Sequence, residues 1–423
     1  MPPAAKRPAR RAAGAAPLPR FAAKPIAAAA RQFPVLLVTG ARQVGKTTLL
    51  RSLAGSSRRY VTLDDPLVLR LAREDPALFV QSYPPPVLID EVQYAPQILP
   101  HIKIAVDARR RAGDFWLTGS QPFHLMKGVA ESLAGRVAIF SLLGLSRREA
   151  LGLPASLPFL PVPPRLQRLF ESAQSTDLLG LHADIWRGSY PALVTQPAMS
   201  RDLFYSSYLQ TYLQRDVRDL ARVGDETAFL RFVRAAAARS AQLLNIAELA
   251  RDADVAPNTA KAWLSILAAS GVVSLLQPWH ANLTKRFIKT PKLYFLDTGL
   301  AAYLTQWSSP QTLEAGAMAG AMFETWVYGE ILRSHAHAGS TASMSFYRDK
   351  DQREVDLLIE HDGRLHPVEC KKSASPGRDA LAGIQTLARS GVALGPGAVV
   401  CMVPEPVPLL REPRITALPA WML

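Results

Sequence analysis

Short apolar runs separated by helical patterns fill the first third of the chain. Four of these runs are of β type: Val35–Val38, Val87–Ile89, Phe115–Thr118 and Val137–Leu142. Buried-strand runs that alternate with helical segments are typical of an α/β domain with a parallel sheet. The pattern therefore predicts an α/β domain over residues 25–145.

The middle of the chain changes to helical periodicity. From Leu203 to Val217, apolar and aromatic residues recur at three- and four-residue spacing, which predicts a helix with most of its aromatic side chains in a core. A Pro-rich stretch, residues 151–164, comes before it and marks a linker or an irregular insertion. We predict a helical lid over residues 146–225.

Residues 226–312 have the pattern of a winged helix-turn-helix. "NIAELARDA" begins with Asn245 at an N-cap position, and "VAPNTAKAWLSILAASG" is a second helix closed by Gly271. Two strand-like runs, "GVVSLLQPW" and "PKLYFLDTG", follow and are joined by a basic connector. The second helix and the connector offer side chains that could meet the bases or phosphates of DNA: Asn258, Thr259, Lys261, Lys285 and Arg286. Winged helices also bind proteins, so a protein partner is the alternative.

Residues 313–423 run in the order α-β-β-β-α-β. The first helix carries Glu324 among apolar residues, the second strand carries Asp356, and the third carries Glu369 and Lys371. Positions i and i+2 of a strand share a face, so Glu369 and Lys371 point to the same side. We expect Asp356 and Glu369 to hold Mg²⁺ with Glu324 as a further carboxylate, while Lys371 activates a water or steadies a phosphate. The alternative is a buried ion cluster without catalytic activity.

A phosphate-binding loop follows the first β-type run. Its pattern is Gly-x-x-x-x-Gly-Lys-Thr between a strand and a helical segment, which is the required setting of a P-loop. Lys46 is expected to reach the β- and γ-phosphates of ATP, and Thr47 to bind Mg²⁺. A structural glycine turn is the alternative. The predicted nucleotide-binding residues are Gly40, Ala41, Arg42, Gln43, Val44, Gly45, Lys46, Thr47 and Thr48.

Polar residues end the next two strand-like runs of this domain. Asp90 and Glu91 follow Val87–Ile89, at the sheet edge where ligands of open α/β sheets bind. Asp90 is predicted to hold Mg²⁺ through water, and Glu91 to orient and deprotonate the attacking water; a solvated loop position is the alternative for Glu91. Ser120, with Gln121 behind it, is the candidate to sense the γ-phosphate, and a plain turn is the alternative.

The order of these elements resembles the core of the AAA-type ATPases over about residues 30–145. In that superfamily an arginine before the last strand often reaches the γ-phosphate in a neighbouring subunit. The resemblance implies this role for Arg136 and therefore a homo-oligomer, with local pairing as the alternative. Arg187 and Arg215 of the predicted lid could also touch the phosphates, and the sequence selects neither.

The C-terminal pattern resembles the PD-(D/E)xK nuclease fold, a restriction-endonuclease-like α/β fold. The whole chain after its basic tail resembles the bacterial and archaeal AAA-type ATPases that carry a C-terminal domain of unknown function. The pieces that carry this resemblance include "TGARQVGKTTLL", "VLIDEVQ", "LYFLDTGL" and "VDLLIE…PVECKKS". The resemblance implies ATP and Mg²⁺ as ligands and gives no biological role.

The charge distribution adds a second indication of a polyanionic partner. The net charge is +14, and the first 24 residues contribute six cations and no acid, which predicts a disordered basic tail over residues 1–24. The remaining +8 favours affinity for nucleic acid. Two cysteines, Cys370 and Cys401, argue against a disulfide scaffold or a zinc site and fit a reducing cytoplasm. No apolar run is long enough to span a bilayer.

These observations predict a cytoplasmic, Mg²⁺-dependent ATPase that acts on DNA, and the sequence leaves open whether it also cuts DNA. The alternative is a regulatory switch in which ATP turnover is slow and nucleotide state gates binding by an inactive nuclease-like fold.

Overall fold

The N-terminal unit is a parallel sheet of five strands in the order β2-β3-β4-β1-β5. The computed structural model describes residues 18–120, 128–129, 131–212, 225–280 and 290–423. The strands are β1 (Val35–Thr39), β2 (Arg59–Thr62), β3 (Val87–Asp90), β4 (Phe115–Gly119) and β5 (Val137–Ser141). The helices around them are α1 (Ala23–Ala29), α2 (Lys46–Ala54), α3 (Pro66–Glu74), α4 (Pro76–Ser82) and α5 (Leu99–Arg109).

Strand β1 lies inside this sheet and separates two apolar cores. Leu36 and Val38 belong to one buried cluster, whereas Val35 and Leu37 belong to the other. Because side chains alternate across a strand, the two clusters cover opposite faces of the sheet, as parallel sheets require. The parallel sheet confirms the predicted P-loop NTPase core. Strand β2 was not predicted, because it has no apolar run and two of its four residues are exposed.

A group of helices follows the sheet and confirms the helical pattern of the middle region. They are α6 (Arg147–Ala150), α7 (Pro163–Glu171), α8 (Leu178–Arg187), α9 (Pro191–Thr195) and α10 (Arg201–Tyr212). The aromatic side chains of Tyr205 and Tyr208 are buried against Tyr190, as the periodicity of this segment predicts. Val217 and Arg215 lie outside the described residues.

The next unit contains the helices and strands predicted for a helix-turn-helix and wing, with one unpredicted strand, β6, and the assignment to a winged helix stays a prediction. It contains α11 (Glu226–Ala237), β6 (Gln242–Leu243), α12 (Ile246–Ala253), α13 (Pro257–Ala269), β7 (Val273–Leu276) and β8 (Lys292–Phe295). The three strands pair antiparallel in the order β6-β8-β7. Asn245 caps α12 by accepting the N–H groups of Ala247 and Glu248, and Gly271 has a φ of 69° just after α13. Both positions match the capping residues that the sequence indicated.

The C-terminal unit is a six-stranded mixed sheet in the order β13-β14-β12-β11-β10-β9. Its helices, with the two that lead into it, are α14 (Thr298–Leu304), α15 (Pro310–Ala315), α16 (Ala319–Ala336) and α17 (Ala382–Arg389). Its strands are β9 (Ser343–Arg348), β10 (Glu354–His361), β11 (Arg364–Cys370), β12 (Gly397–Cys401), β13 (Val407–Leu410) and β14 (Ile415–Pro419). The predicted α-β-β-β-α-β order runs from α16 to β12, and β13 and β14 were not predicted. The assignment to a nuclease-like fold stays a prediction.

One apolar cluster connects these units. It runs without interruption from Ile26 in α1 through Leu181 and Phe232 to Phe323 and Met422. The units therefore share a core and are not separate domains on flexible linkers. Within the described ranges, no helix combines the length and the apolar character needed to span a bilayer.

The predicted boundary of the basic tail is wrong at its C-terminal end. Arg20, which the sequence analysis placed in a disordered tail, has a buried side chain that pairs with Glu149. Helix α1 begins at Ala23, and its Ile26 is fully buried. The fold therefore begins before residue 24, because a buried ion pair holds this segment in place.

Asp297 ties the helical region to the C-terminal half. One of its carboxylate oxygens, Oδ2, accepts the backbone N–H and the hydroxyl of Ser189, each at 2.7 Å. The other, Oδ1, accepts the Tyr205 hydroxyl and the Leu300 N–H, also at 2.7 Å. Asp297 is thus the N-cap of α14 and a buried hub at once.

We predict that Asp297→Ala lowers the free energy of unfolding by about 3 kcal/mol, because three buried donors besides the cap lose a charged acceptor. Asp177 is a matched control, since it caps α8 at an exposed position with one bond of 2.7 Å to the Gly180 N–H. Asp177→Ala should cost only about 1 kcal/mol. Urea denaturation followed by tryptophan fluorescence measures both, and equal losses would contradict the role of the hub.

Candidate functional site

The loop between β1 and α2 has the backbone geometry of a phosphate-binding turn. Gly40 has a φ of 144°, and a Cβ atom there would lie 2.1 Å from the Leu142 carbonyl oxygen. Gly45 has a φ of 92° and directly precedes the first residue of α2. Both glycines are therefore required by the backbone path, and the N-terminus of α2 points its free N–H groups toward the loop.

Lys46 holds its ammonium group against the loop. Its Nζ donates to the carbonyl oxygens of Gly40 at 3.0 Å and Ala41 at 2.9 Å. Both are carbonyls of the loop itself, so the side chain is already folded back over the phosphate position that the P-loop pattern predicts. Ala41 and Val44 are buried in the apolar core, so only their backbone atoms can contact a ligand.

The carboxylate of Asp90, at the end of β3, accepts hydrogen bonds from three hydroxyl groups. Its Oδ1 accepts the Thr47 hydroxyl at 2.7 Å and the Thr118 hydroxyl, and its Oδ2 accepts the Tyr60 hydroxyl at 3.0 Å. A threonine hydroxyl beside a carboxylate is a donor set that Mg²⁺ accepts, so these residues fit the ion. Tyr60 and Thr118 were missed by sequence reasoning. Tyr60 lies on the unpredicted β2, and Thr118 was counted only as the last residue of a strand.

Glu91 and Ser120, two of the predicted site residues, lie in contact, while their roles stay predictions. The Ser120 hydroxyl donates to Glu91 Oε2 at 3.1 Å, and the Glu91 backbone N–H donates to the Thr118 hydroxyl at 3.0 Å. Gln93, which sequence reasoning missed, donates its amide to both Glu91 and Ser120. It stands two residues after Glu91 in "IDEVQ", which is the signal that could have identified it. Gln121 lies outside the described residues.

A cavity of about 720 Å³ opens at this edge of the sheet. It is lined by Arg42, Gln43, Gly45, Lys46, Thr47, Thr48, Glu91, Pro191 and Thr211. Its volume is in the range of small-molecule and cofactor sites. Because Pro191 and Thr211 belong to α9 and α10, the helical region forms one wall of the cavity, as expected of a lid.

Arg20 attaches the P-loop to the rest of the molecule. Its guanidinium donates to the carbonyl oxygens of Val44 and Leu143, both at 2.7 Å, and pairs with Glu149 at 3.2 Å. Glu149 also lies 3.1 Å from His337 Nδ1. Burial alone would raise the pKa of Glu149, but His337 and Arg20 outweigh it and hold that pKa at about 2.

The arginines proposed to touch the phosphates are engaged elsewhere in this chain. Arg136 forms a two-bond ion pair with Asp107, at 2.6 and 3.0 Å, on the surface. This is the local pairing that was the alternative, and a role in a neighbouring subunit stays a prediction. Arg187 donates to the carbonyl oxygens of Leu193, Gln196 and Pro197.

The predicted acids of the C-terminal unit do converge, but around a lysine. Lys292 of β8 places its Nζ 2.9 Å from Glu324 Oε1 and 3.3 Å from Asp356 Oδ1. It also forms an ion pair with Glu354, and its side chain is only 3% exposed. Tyr294 donates its hydroxyl to Glu324 at 2.6 Å. Sequence reasoning missed Lys292, Glu354 and Tyr294, because all three appeared to be ordinary strand residues.

Glu369 and Lys371 form the outer side of this carboxylate cluster. Lys371 Nζ lies 3.1 Å from Glu369 Oε1, which confirms that the two side chains share a face. The Cys370 backbone N–H donates to Asp356 Oδ2 at 2.9 Å. Burial and the charge of Asp356 raise the pKa of Glu324 to about 7.

The cluster does not fit the Mg²⁺ ions predicted for it. The carboxylates are of the right type, but the ammonium of Lys292 lies between Glu324 and Asp356, where a cation would bind. Among the residues that the structure describes, no group of three or more His, Cys, Asp or Glu side chains is disposed to hold a metal ion. The arrangement matches the alternative interpretation of a buried ion cluster, and no cleavage step follows from it.

The residues predicted to contact DNA are only partly described. Asn258 and Lys261 are exposed on the outer face of α13, and Thr259 is half-buried. Lys285 and Arg286 lie outside the described residues. The opposite face of α13 packs into the core through Trp263, Leu264 and Leu267.

Comparisons with known proteins identify three family models along the chain. The model described as "AAA domain" matches residues 32–151. Two models described as "Domain of unknown function", DUF8612 and DUF4143, match residues 180–311 and 319–423. The match to the AAA domain model covers the sheet that carries the P-loop and confirms the predicted AAA-type P-loop ATPase core.

Two mycobacterial proteins are similar over most of their length. They are "Uncharacterized protein Rv2008c" of Mycobacterium tuberculosis and "Uncharacterized protein Mb2031c" of Mycobacterium bovis. Each is 32% identical over 381 residues, which is 88% of this chain and 79% of the relative.

Solved structures show a more distant likeness. "The walker-type atpase paby2304 of pyrococcus abyssi" has a TM-score of 0.43 at 15% identity, covering 67% of this chain and 94% of that protein. A signal transduction ATPase with a tetratricopeptide repeat sensor from Pyrococcus horikoshii has a TM-score of 0.23 at 11% identity, covering 74% of this chain and 47% of that one.

We predict that Lys292→Met lowers the free energy of unfolding by about 3 kcal/mol or more, because it leaves three carboxylates without their buried counter-charge. Lys372 is the matched control: it pairs with Glu314 at 2.8 Å, but both side chains are about a third exposed, at 32% and 29%. Lys372→Met should change stability by less than about 1 kcal/mol.

Adding Mn²⁺ should raise the thermal midpoint of Lys292→Met and leave that of the wild type unchanged. The ion can bind the carboxylates only where the ammonium has been removed. An equal rise in both proteins would show that a cation site exists beside Lys292.

Proposed function

This chain belongs to the protein family of the mycobacterial Rv2008c and Mb2031c and carries an AAA domain, and from this premise we propose that it is an Mg²⁺-dependent ATP hydrolase. The observation that carries the proposal is that Lys46, Thr47 and Glu91 line one cavity, while Asp90 accepts the Thr47 hydroxyl at 2.7 Å. Lys46 begins α2, Asp90 ends β3, and Glu91 directly follows Asp90.

The phosphates of ATP are expected to lie against the backbone N–H groups of the loop and the ammonium of Lys46. Thr47 and Asp90 would hold Mg²⁺, which neutralises charge on the β- and γ-phosphates when bound. The bonds of Tyr60 and Thr118 to Asp90 fix the orientation of its carboxylate. Binding therefore needs little rearrangement of these side chains.

Glu91 is the proposed general base. It takes a proton from the attacking water while the water oxygen bonds to the γ-phosphorus, the bond to the β-phosphate oxygen breaks, and ADP and phosphate leave. Ser120 and Gln93 both bond to the Glu91 carboxylate and keep it directed at one position. They are positioning residues in this scheme.

DNA is proposed as the partner of α13. Two observations support this: the chain carries a net charge of +14, and the outer face of α13 is polar and exposed at Asn258, Lys261 and Ser265. The position of Lys292 among the carboxylates supports an inactive C-terminal unit, so ATP turnover would drive binding and release rather than cleavage.

We predict that Glu91→Gln lowers kcat for ATP hydrolysis by about 10²-fold or more, because the attacking water loses its proton acceptor. ATP affinity should be retained, whereas Lys46→Ala should weaken it. Phosphate release and titration with a fluorescent ATP analogue separate the two effects.

Glu74→Gln is the control for Glu91→Gln and Lys46→Ala, because Glu74 is an exposed glutamate at the end of α3. It should hydrolyse ATP as the wild type does. A wild-type rate for Glu91→Gln would refute its role as the base.

For DNA, we predict that Lys261→Ala weakens binding and lowers the slope of affinity against salt by about 1, because one phosphate contact is lost. Lys103→Ala removes the same charge from α5 and serves as the control. Fluorescence anisotropy across a salt series measures both, and identical slopes would argue against α13 as the DNA-binding helix.

A further inference from the structure

A second cavity, of about 320 Å³, lies where the N-terminal segment meets α6, α7 and α16. It shares no lining residue with the nucleotide cavity. Its walls are mostly apolar: Phe21, Pro25, Leu157, Phe159, Leu169 and Ile331. Leu157, one of these wall residues, is 53% exposed.

Two buried arginines face this cavity with unused donors. Arg148 is 4% exposed and Arg333 2% exposed. Arg148 uses Nη2 to donate to the Pro154 carbonyl at 3.0 Å and the Ser172 hydroxyl at 2.9 Å, while its Nε and Nη1 have no hydrogen-bond partner among the described residues. Within the part of the chain that the structure describes, Nε and Nη1 of Arg333 also have no hydrogen-bond partner. Buried guanidinium donors without acceptors are costly, so their presence needs an explanation.

The acidic groups nearby do not supply the missing acceptors. Glu330 Oε1 lies 3.7 Å from Arg333 Nη1, beyond hydrogen-bond distance, and Glu330 Oε2 accepts the Arg147 backbone N–H at 3.0 Å. Glu149 is occupied by Arg20 and His337. Burial, together with the charge of Arg147, lowers the pKa of Arg148, which agrees with an under-compensated charge.

The lining residues therefore carry an excess of positive charge. Lys24, Arg148 and Arg333 are cations, whereas the carboxylates among the lining residues that the structure describes are the Glu330 side chain and the terminal carboxylate of Leu423. Residues 1–17 contain no Asp or Glu, so their side chains cannot supply an anion to this cavity.

We propose that this cavity binds a small amphipathic oxyanion, with its charged head on Arg148 and Arg333 and its apolar body along the Phe159 and Leu169 wall. Guanidinium groups match the two oxygens of a carboxylate or phosphate head through paired N–H donors. The volume corresponds to roughly ten water molecules, which suits a ligand with an apolar chain of several carbons. The free donors of Arg148 and Arg333 favour a ligand with a negatively charged head, and the apolar wall favours a ligand with an apolar tail.

The test is calorimetric titration of the full chain with octanoate, which carries both features. Octanol, which has the tail without the charge, and inorganic phosphate, which has the charge without the tail, are the comparison probes. We expect octanoate to bind at least tenfold more tightly than either. Equal affinity of phosphate would mean that the site takes a bare anion and would overturn the amphipathic class.

Arg333→Met and Arg148→Met should each weaken octanoate binding at least tenfold. Arg389→Met, at an exposed position at the end of α17, is the matched control and should bind like the wild type. Absence of octanoate binding to the wild type, or unchanged binding by both variants, would overturn the proposal.

The thermal stability of the protein without ligand provides an independent test of the proposal. A guanidinium kept for a ligand costs stability while it is unpaired, so Arg333→Met should have an unchanged or higher thermal midpoint than the wild type without octanoate. Octanoate should then raise the midpoint of the wild type and not that of the variant. A variant that unfolds at lower temperature would show that Arg333 is structural and would contradict the proposal.

Discussion

The buried ion pair between Arg20 and Glu149 is the interaction on which the arrangement of the units depends. Arg20 holds the Val44 carbonyl of the P-loop, and Glu149 contacts His337 at the end of α16. One pair thus connects the nucleotide site, the helical region and the C-terminal unit. Because both charges are buried, each requires the other, and the three parts can move apart only if the pair is solvated.

The sites of this molecule differ in whether their buried charged groups have hydrogen-bond or ion-pair partners. The ammonium of Lys292 and the carboxylate of Asp297 each face groups that compensate their charge. At the nucleotide cavity, Lys46 is bonded to loop carbonyls. The cavity beside α16 differs, since Arg148 and Arg333 keep free donors there. An under-compensated charge indicates a ligand more directly than the shape of a cavity does.

Sequence reasoning identified candidate residues that lie within one short segment. It missed residues that come together only when distant segments pack in the folded chain. The P-loop, Asp90, Glu91 and Ser120 were predicted because strand ends and glycine spacing are written in short segments. Lys292 was not, because it lies 64 positions from Asp356 and reaches it only when β8 packs on the C-terminal sheet. The order of the elements predicted that Glu324, Asp356 and Glu369 lie close together. It did not predict that the ammonium of Lys292 lies between Glu324 and Asp356. Arg20 was assigned to a tail because composition does not report a buried partner.

A cation that is part of the chain cannot dissociate. A metal ion between Glu324 and Asp356 would come and go with its free concentration and could be removed by a chelator, whereas the ammonium of Lys292 is present at a fixed stoichiometry from synthesis onward. Compensation of Glu324 and Asp356 by Lys292 therefore needs no dissociable cation, whereas the nucleotide site, in the proposed function, would bind Mg²⁺ together with ATP. In the proposed function, the nucleotide site therefore responds to the concentration of Mg²⁺, and the cluster around Lys292 does not.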